Sequence, residues 1–296
     1  MARLPKRAIL VVNVASRSGA DGFDEAVRKL RDAGVELVDA IAVEEPDRIK
    51  DVVRKAVGKA PMVVVGGGDG TLSSTIDYFK DSKTVFALLP LGTANSFARA
   101  LGVPVDLDGA VETIASGVRR RVDLGCIDGD YFGNSAAIGL SPMIARTVPS
   151  RLKRYLGRAG YALWAVKVAA GFKPFQVTVT NGRKKEQLVA SEVRIANGGY
   201  FGGVELVEQA ELDSGEIVVE VVASKTLREL LANWAGSALR LRSGDKGTVA
   251  IRGKKLKIET EPPMDVTIDG ELAKCTPVTV WVARGAVEVA VPSQQA

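Results

Sequence analysis

Histidine is absent from this chain of 296 residues. Its absence excludes Ser-His-Asp and Cys-His hydrolases, and also the usual zinc enzymes, which rely on histidine ligands. Any general base must therefore be an Asp, Glu, Lys or Tyr side chain. Cysteine is scarce as well, because Cys126 and Cys275 are the only two. Two isolated cysteines indicate neither a disulfide framework nor a zinc cluster, so we expect a reducing, cytoplasmic setting.

Long hydrophobic runs are also missing. The apolar run at 8–12 is too short for a signal peptide, and no apolar stretch could span a bilayer. A hydrophobic content of 46% and a charged content of 25% are ordinary for a globular protein, and this length predicts two domains. The net charge of +5 indicates an anionic partner, for which a nucleotide, a membrane lipid and a nucleic acid all qualify.

The most informative stretch lies at 61–72, where an apolar strand runs into a series of glycines. Met62–Val65 are apolar and mostly β-branched, and the residues that follow are Gly66, Gly67, Gly68, Asp69, Gly70 and Thr71. Glycine lets the backbone approach a ligand closely, and successive N–H groups at a strand-to-helix turn bind anions. We therefore predict a phosphate site here. Asp69 would repel bare phosphate, so a magnesium ion or a hydroxyl group is its expected partner.

The first half of the chain alternates predicted strands and helices. Strands are predicted at 7–13, 35–43, 62–65 and 85–89, and helices at 24–33, 48–57, 72–79 and 105–117. This alternation predicts an α/β domain with a mainly parallel sheet. Ligands bind at the carboxyl ends of such strands, where Asn13, Asp69 and Thr93 fall.

The second half has a different pattern. Runs rich in β-forming residues are separated by hairpin signals such as Asp128-Gly129, Asn181-Gly182, Ser214-Gly215, Arg252-Gly253 and Asp269-Gly270. A single helix is predicted at 226–242. We therefore predict a nucleotide-binding domain at 1–124 and a β-rich domain at 125–296, the second antiparallel and β-sandwich-like.

Two segments, Gly67-Gly-Asp-Gly-Thr71 and Pro90-Leu-Gly-Thr-Ala-Asn95, together resemble the catalytic domain of the diacylglycerol kinase family, in its bacterial lipid-kinase branch. The first segment alone is shared with NAD kinases and phosphofructokinases, whereas the pair is far more specific. The resemblance implies a fold like that of those two enzymes, ATP and Mg²⁺ as cofactors, and the hydroxyl group of a membrane lipid such as diacylglycerol as acceptor. The nucleotide-binding residues that it implies are Asn13, Ser16, Gly67, Gly68, Asp69, Gly70, Thr71, Gly92, Thr93 and Asn95.

The resemblance also implies roles for acidic residues. Asp69 and Asp123 would help to hold the catalytic magnesium, and Asp213 would serve a second, structural magnesium. The turn Asp269-Gly270-Glu271 matches a family turn in which a carboxylate is proposed to deprotonate the lipid hydroxyl. Glu271 is therefore the first candidate base and Asp269 the second, although Asp-Gly between two strands is also the commonest hairpin turn.

The chain departs from the family at two positions. The family often carries acids at the positions of Ser96 and Ser214. These departures motivate one alternative, a catalytically silent nucleotide- or lipid-binding protein. A second alternative is an NAD-kinase-like enzyme, which shares the glycine segment but places a Thr-Gly-Ser-Thr-Ala-Tyr-like stretch, absent here, in its second domain. The acceptor is open as well, because diacylglycerol, a sphingoid base, a ceramide and phosphatidylglycerol are all alcohols.

Residues 131–185 contain no acid, whereas basic residues are frequent there. Residues 150–173 are predicted to form a helix that interleaves basic residues with Leu, Tyr and Trp, as a membrane interface requires. The predicted membrane contacts are Arg151, Lys153, Arg154, Arg158 and Trp164. We expect a peripheral contact with an anionic membrane at its inner face and no nucleic-acid partner. The oligomeric state is open, with a homodimer as one option.

Overall fold

The computed structural model describes residues 2–15, 19–149, 160, 163–223 and 247–293. Three earlier predictions lie outside the described residues: the nucleotide contact of Ser16, the helix at 226–242, and the membrane contacts of Arg151, Lys153, Arg154 and Arg158. Of the predicted helix at 150–173, residues 160 and 163–173 are described; 160 and 163–171 are helical, so the helix ends two residues earlier than predicted. Within the described part of the chain, no helix is both long enough and apolar enough to cross a bilayer.

The first half alternates strands and helices as predicted. Its strands are β1 (Arg7–Asn13), β2 (Glu36–Val43), β3 (Met62–Gly67) and β4 (Val85–Pro90). Its helices are α1 (Gly19–Asp32), α2 (Ile49–Ala56), α3 (Asp69–Ile76), α4 (Ser96–Ala100) and α5 (Leu107–Ser116), with short 3₁₀ turns at Pro46–Arg48 and Asp77–Phe79. Helix α3 begins at Asp69, not at Leu72 as predicted, so Gly68 alone separates it from β3.

The four strands form a parallel sheet in the order β2-β1-β3-β4. All residues of β3 and β4 are buried. Strands buried on both faces read as continuous apolar runs, which is why the sequence shows no alternation there. Helix α2 covers the sheet with a single apolar stripe, because Ile49, Val53 and Ala56 are buried while its basic residues face outward.

Two long strands, β5 (Val118–Ile127) and β18 (Val278–Val291), extend through both halves. The end of β18 pairs with the start of β5, and its Val289 lies parallel to Phe86 of β4. The start of β18 pairs with the end of β5 and with a strand of the second half. The pairing with β5 shifts between Ala283 and Val287, where the strand is irregular. The parallel sheet therefore continues into the second half.

The second half is composed mainly of short strands. They are β6 (Asp130–Phe132), β7 (Ser135–Gly139), β8 (Phe175–Asn181), β9 (Lys184–Ala190), β10 (Glu192–Ala196), β11 (Tyr200–Phe201), β12 (Val204–Glu205), β13 (Ile217–Val222), β14 (Thr248–Gly253), β15 (Lys255–Glu261), β16 (Asp265–Ile268) and β17 (Glu271–Cys275). Helix α6 (Leu140–Thr147) follows β7 directly.

These strands form a β-sandwich, which confirms the predicted architecture. One antiparallel sheet has the order β14-β13-β10-β7-β16-β17. It packs against β8, β15 and the first part of β18 through a shared core that contains Val193 and Ile195 of β10 and Ile258 of β15. Because side chains alternate along a strand, Glu192 and Arg194 of β10 face away from this core. The face that carries them lies toward the cavity described below.

The predicted hairpin signals divide into two groups. Asp128-Gly129, Asn181-Gly182 and Asp269-Gly270 each join two paired antiparallel strands. The prediction is wrong for Arg252-Gly253, because β14 pairs with β13 whereas β15 pairs with β8 and β18 in the other sheet. It is also wrong for Ser214-Gly215. The strands before and after this turn, β12 and β13, lie in different sheets and do not pair with each other. A turn dipeptide predicts a turn, but it does not determine the pairing partner.

Candidate active site

The glycine segment forms an abrupt transition between β3 and α3. Gly67 is the last residue of the strand and Gly68 caps the helix, whose first residue is Asp69. A Cβ atom on Gly67 would lie 2.6 Å from the Cβ atom of Thr71, so only glycine fits at that position. The N-terminus of α3, with its free N–H groups and partial positive charge, therefore opens directly at the carboxyl edge of the sheet.

The second turn, between β4 and α4, contacts the first one backbone to backbone. A Cβ atom on Gly92 would lie 2.5 Å from the Cα atom of Gly68, which excludes any larger residue. Asn95 adopts a left-handed conformation, with φ of 49°, and its Oδ1 accepts a hydrogen bond of 2.9 Å from the N–H of Gly92. Asn95 thus fixes the shape of this turn, while Thr93 at its tip is exposed.

Asn13 attaches the first strand to the glycine segment. Its Nδ2 donates to Thr71 Oγ1 over 3.0 Å, and its Oδ1 accepts from the N–H of Ala15 over 3.2 Å. The predicted residues Asn13, Asp69, Gly92 and Asn95 therefore meet at one edge of the sheet, as the strand alternation implied. Their roles in nucleotide binding stay predictions.

Three acidic residues, Asp69, Asp269 and Glu192, line a cavity of about 480 Å³ between the two halves of the chain. Asp69 reaches it from α3, and its Oδ1 accepts a hydrogen bond of 3.3 Å from the N–H of Phe97. Asp269 reaches it from the β16–β17 turn, and its Oδ1 accepts one of 2.9 Å from the N–H of Ser135. Apolar side chains such as Leu72 and Phe201 line much of the rest.

Burial raises the pKa of both carboxyl groups. For Asp69, desolvation is the main cause, and hydrogen bonds from the backbone of residues 95–97 oppose it. The pKa of Asp269 is raised to about 6, because desolvation and, less strongly, the charge of Asp69 outweigh the hydrogen bonds from Ser135 and Ser73 that lower it. Part of the Asp269 residue reaches solvent, but its carboxyl group is enclosed by these partners. Two carboxyl groups with raised pKa values, one of them raised partly by the charge of the other, mark this cavity as a candidate site for chemistry.

Glu271 lies next to the glycine segment and is exposed. Its Oε1 would be 3.2 Å from a Cβ atom on Gly70, in the first turn of α3. The two candidate bases therefore differ in setting. Asp269 is enclosed and hydrogen-bonded, whereas Glu271 is exposed to solvent.

Asp123 and Asp213 have partners of their own. The buried carboxylate of Asp123 accepts 2.7 Å hydrogen bonds from the N–H groups of Gly215 and Gly285. Asp213 Oδ2 accepts from Nε and from an Nη atom of Arg120, at 3.1 and 2.7 Å. In this arrangement the first carboxylate joins two loops and the second is ion-paired. Their metal-binding roles stay predictions, and neither side chain lines the cavity.

The donor set at the cavity fits a magnesium ion that is only partly coordinated by protein. Among the side chains that the structure describes, no three His, Cys, Asp or Glu residues cluster closely enough to form a complete metal site. Mg²⁺ usually keeps several waters and binds through one or two carboxylates together with substrate phosphates. Asp69, at the positive end of α3, has the right chemistry for that role.

Several residues at the cavity have contacts or positions that the sequence did not predict. Ser96 Oγ accepts a hydrogen bond of 3.0 Å from the N–H of Gly203, which holds the β11–β12 hairpin against the second turn. Asn134 and Glu192 also line the cavity. One feature of the sequence could have indicated Glu192, because Glu192 and Arg194 are charged residues in an otherwise apolar β-strand. Nothing in the sequence distinguished Asn134.

Comparisons with known proteins agree with this geometry. Residues 7–127 match the family model described as "Diacylglycerol kinase catalytic domain", and residues 134–291, more than half of the chain, match "YegS C-terminal NAD kinase beta sandwich-like domain". The chain is 26% identical to "Diacylglycerol kinase" of Bacillus subtilis over 98% of both chains. It is 29% identical to "Probable lipid kinase YegS-like" of Pseudomonas aeruginosa, over 98% of this chain and 96% of the relative.

Solved structures show the same fold. The crystal structure of a diacylglycerol kinase from Bacillus anthracis superposes with a TM-score of 0.78 at 22% identity, over 98% of each chain. A second structure from that organism superposes with a TM-score of 0.83 at 25% identity, over 98% of this chain and 96% of the other. The fold class predicted from the sequence is thereby confirmed, and the family models confirm the predicted family.

Proposed function

Because the chain belongs to the diacylglycerol kinase family of lipid kinases, we propose that it transfers the γ-phosphoryl group of ATP, in the presence of Mg²⁺, to the hydroxyl group of a membrane lipid. One observation carries the proposal. The glycine segment that suits a triphosphate and the apolar cavity that suits a lipid headgroup meet at Asp69. Donor and acceptor can therefore approach each other at one acidic side chain, between the two halves of the chain.

The nucleotide phosphates would lie over the two glycine turns. The first N–H groups of α3 and the partial positive charge of that helix favour an anion at this position. The backbone contact between Gly68 and Gly92 leaves no side chain to obstruct it. Asp69 would hold a magnesium ion that neutralises negative charge on the phosphates, which is the main requirement in phosphoryl transfer.

A carboxylate is proposed to accept the proton of the lipid hydroxyl. The hydroxyl oxygen forms a bond to the γ-phosphorus atom, the bond from that atom to the bridging oxygen breaks, and ADP leaves. Glu271 is proposed as the proton acceptor, because it lies beside Gly70 and is exposed to solvent. Asp269 is proposed to position the turn that carries Glu271, since its Oδ1 and N–H both bond to Ser135.

A transfer assay tests the proposal. The purified protein is incubated with γ-labelled ATP, Mg²⁺ and vesicles that contain diacylglycerol, and in parallel with NAD. We expect label in the lipid phase, and we expect Asp69→Ala to abolish transfer while circular dichroism stays unchanged. Label on NAD would support the NAD-kinase-like alternative, and ATP binding without transfer would support a silent binding protein. Transfer by Asp69→Ala within a few-fold of the wild type would refute the proposed metal ligand.

We also propose that the region around residues 150–173 contacts an anionic membrane. In its described part, Leu163 and Val166 are exposed by 65% and 41%. Trp164 donates from Nε1 to Thr147 Oγ1, and Lys167 lies 4.7 Å from the centre of the Trp164 ring. Exposed apolar side chains beside an aromatic ring and a cation suit a bilayer interface.

Charge reversal tests the membrane contact. Changing Arg151, Lys153 and Arg154 together to Glu should weaken sedimentation with anionic vesicles at low salt, because each basic residue contributes attraction to the surface. Neutral vesicles serve as the control. Unchanged sedimentation with anionic vesicles would contradict the proposal.

A further inference from the structure

A buried charged cluster lies on the cavity side of the β-sandwich, outside the phosphoryl-transfer site. Glu192 and Arg194 on β10 are only 1% and 6% exposed. Arg194 Nε donates to Glu192 Oε1 over 3.0 Å, and an Nη atom of Arg194 donates to Glu220 Oε2 over 2.9 Å. Two carboxylates thus share one guanidinium group, so the cluster carries a net charge of −1 when all three groups are ionised.

The second carboxylate oxygen of Glu192 accepts no hydrogen bond from the described residues. Glu192 Oε2 is fully buried and has no hydrogen-bond partner there, and Glu192 lines the cavity. Asn134 shows the same combination, because its Oδ1 is buried without a partner and the residue lines the same cavity. The Asn134 amide is oriented by its Nδ2, which donates to the carbonyl oxygen of Tyr200, so the free atom is the acceptor.

Unpaired buried acceptors are costly, and an acceptor on a cavity wall is most simply explained by a donor supplied from the cavity. Both atoms are acceptors, and one belongs to a carboxylate. The cavity therefore complements a ligand with hydroxyl or ammonium groups. It does not complement a phosphodiester headgroup, whose negative charge the Glu192 cluster would repel, or an ester, which offers only acceptors.

The position of Glu192 limits where that donor can be. Glu192 pairs across the sheet with Gly139 of β7, and its side chain leans toward Arg194, which pairs with Ala137. Gly139 and Ala137 are four and two residues from Ser135, which holds the Asp269 carboxylate, so the separation along β7 is roughly 7–13 Å. A polar headgroup of several atoms with a hydrogen bond of about 3 Å at each end spans the shorter part of this range.

We propose that Glu192 is a specificity-determining residue that binds a second hydrogen-bond donor, a hydroxyl or an amino group, in the headgroup of the acceptor lipid. This inference rests on the proposed lipid-kinase function and narrows its substrate class. A monoacylglycerol or a long-chain amino alcohol carries such a donor beside the reacting hydroxyl group. Diacylglycerol does not, because its remaining oxygens are esterified, and phosphatidylglycerol brings a phosphodiester.

The test compares acceptors with the intact chain. Values of kcat/KM are measured in micelles of an uncharged detergent with equal mole fractions of diacylglycerol, monoacylglycerol or a long-chain amino alcohol. We expect the wild type to favour the lipids that carry a second donor by about tenfold or more, since a hydrogen bond to a buried charge discriminates on that scale. A preference for both shows that a hydroxyl or an ammonium group can be the donor, a preference for monoacylglycerol alone identifies the hydroxyl, and a preference for the amino alcohol alone identifies the ammonium group.

Two variants locate the effect. Glu192→Gln should reduce the preference, taken as the ratio of kcat/KM values between acceptors, about tenfold. Glu220→Gln is the matched control, because it removes the same charge from the cluster at a residue that is not on the cavity wall, and it should keep the preference. An equal loss of acceptor preference in both variants would mean that the change acts through the structure of the charged cluster and not through a contact of Glu192 with the lipid, and it would overturn the inference.

The wild-type comparison stands even where the Glu192 variant fails to fold. Equal or better use of diacylglycerol by the wild type overturns the inference and leaves the lipid-kinase function intact. Absence of phosphoryl transfer to every lipid overturns both together. Preference for a second donor in the wild type, lost in Glu192→Gln alone, supports the inference.

Discussion

The charge on Asp269 should destabilise the folded protein at neutral pH, and replacing this residue with Asn should remove the penalty. Its pKa is raised from 3.8 to about 6 in the folded state. The difference of about 2 pH units corresponds to an upper value of about 3 kcal/mol, at 1.36 kcal/mol per unit. Solvent that reaches part of the residue reduces the effect, so we expect about 1–3 kcal/mol, the size of a typical single-mutation effect.

The direction of the pH dependence follows from proton binding. Between about pH 4 and pH 6 the folded protein keeps a proton on Asp269 that the unfolded chain has lost. Stability should therefore fall as pH rises through this range and stay lower above it. An Asn side chain at this position is neutral at every pH. Asp269→Asn should thus match the wild type near pH 4 and exceed it by about 1–3 kcal/mol at pH 7.5.

The local structure should tolerate this change. Asp269 adopts a left-handed conformation with φ of 46°, which Asn accepts readily. The Oδ1 atom of Asn can still accept the hydrogen bond from Ser135, whose length is 2.9 Å in the wild type. The expected gain is therefore electrostatic, without an offsetting loss of backbone geometry.

Thermal midpoints at pH 4.5, 6.0 and 7.5 in the presence of EDTA measure the effect, because EDTA removes any metal that would favour the charged form. Asp265→Asn is the control on the neighbouring strand, since its exposed ion pair with Arg146 contributes at most about 1 kcal/mol. A midpoint of Asp269→Asn at pH 7.5 equal to or below that of the wild type would refute the reasoning. A gain of the same size at all three pH values would also refute it, because the cause would then not be ionisation.

Two further predictions concern the turns around the cavity. Gly92→Ala should lower the free energy of unfolding by about 1–3 kcal/mol and raise KM for ATP, because the new Cβ atom would lie 2.5 Å from the Cα atom of Gly68. Gly171→Ala is the control and should change neither quantity, because no atom lies within 4 Å of its new Cβ atom. Glu271→Gln should lower kcat about a hundredfold or more while ATP binding, measured by calorimetry, is kept, since general base catalysis contributes on that scale. Full activity of Glu271→Gln would transfer the proposed role of base to Asp269.

The α/β half was predictable because its signals are local. Fully apolar strands such as Met62–Val65 alternate with amphipathic helices such as α2, and each can be recognised from the residues of its own segment. The start of α3 was misplaced for a local reason too. Glycine and aspartate lower helix propensity, whereas Gly68 and Asp69 here serve as the cap and first residue of the helix.

Contacts between distant segments were not predictable from the sequence. The carboxylate of Asp123 bonds to Gly215 and Gly285, which are far away along the chain. The family resemblance pointed to this residue as a metal ligand, and the structure shows both of its oxygens bonded to backbone N–H groups. Similarly, Arg252-Gly253 has the composition of a hairpin, but the strands on either side belong to different sheets. In each case the partner is chosen by tertiary packing.

Ser96 shows how one departure from the family pattern alters the charge balance of the cavity. A carboxylate there would add a third negative group near Asp69 and Asp269, and like charges disfavour each other's ionised form. The pKa of Asp269, already raised to about 6, would rise further. Ser96 Oγ instead accepts a hydrogen bond from the N–H of Gly203 and so holds the β11–β12 hairpin, whose Phe201 lines the cavity. Serine at this position does not supply the carboxylate oxygen that an acid would offer to a metal. More of the coordination of a magnesium ion at Asp69 must therefore come from the phosphates of ATP and from water.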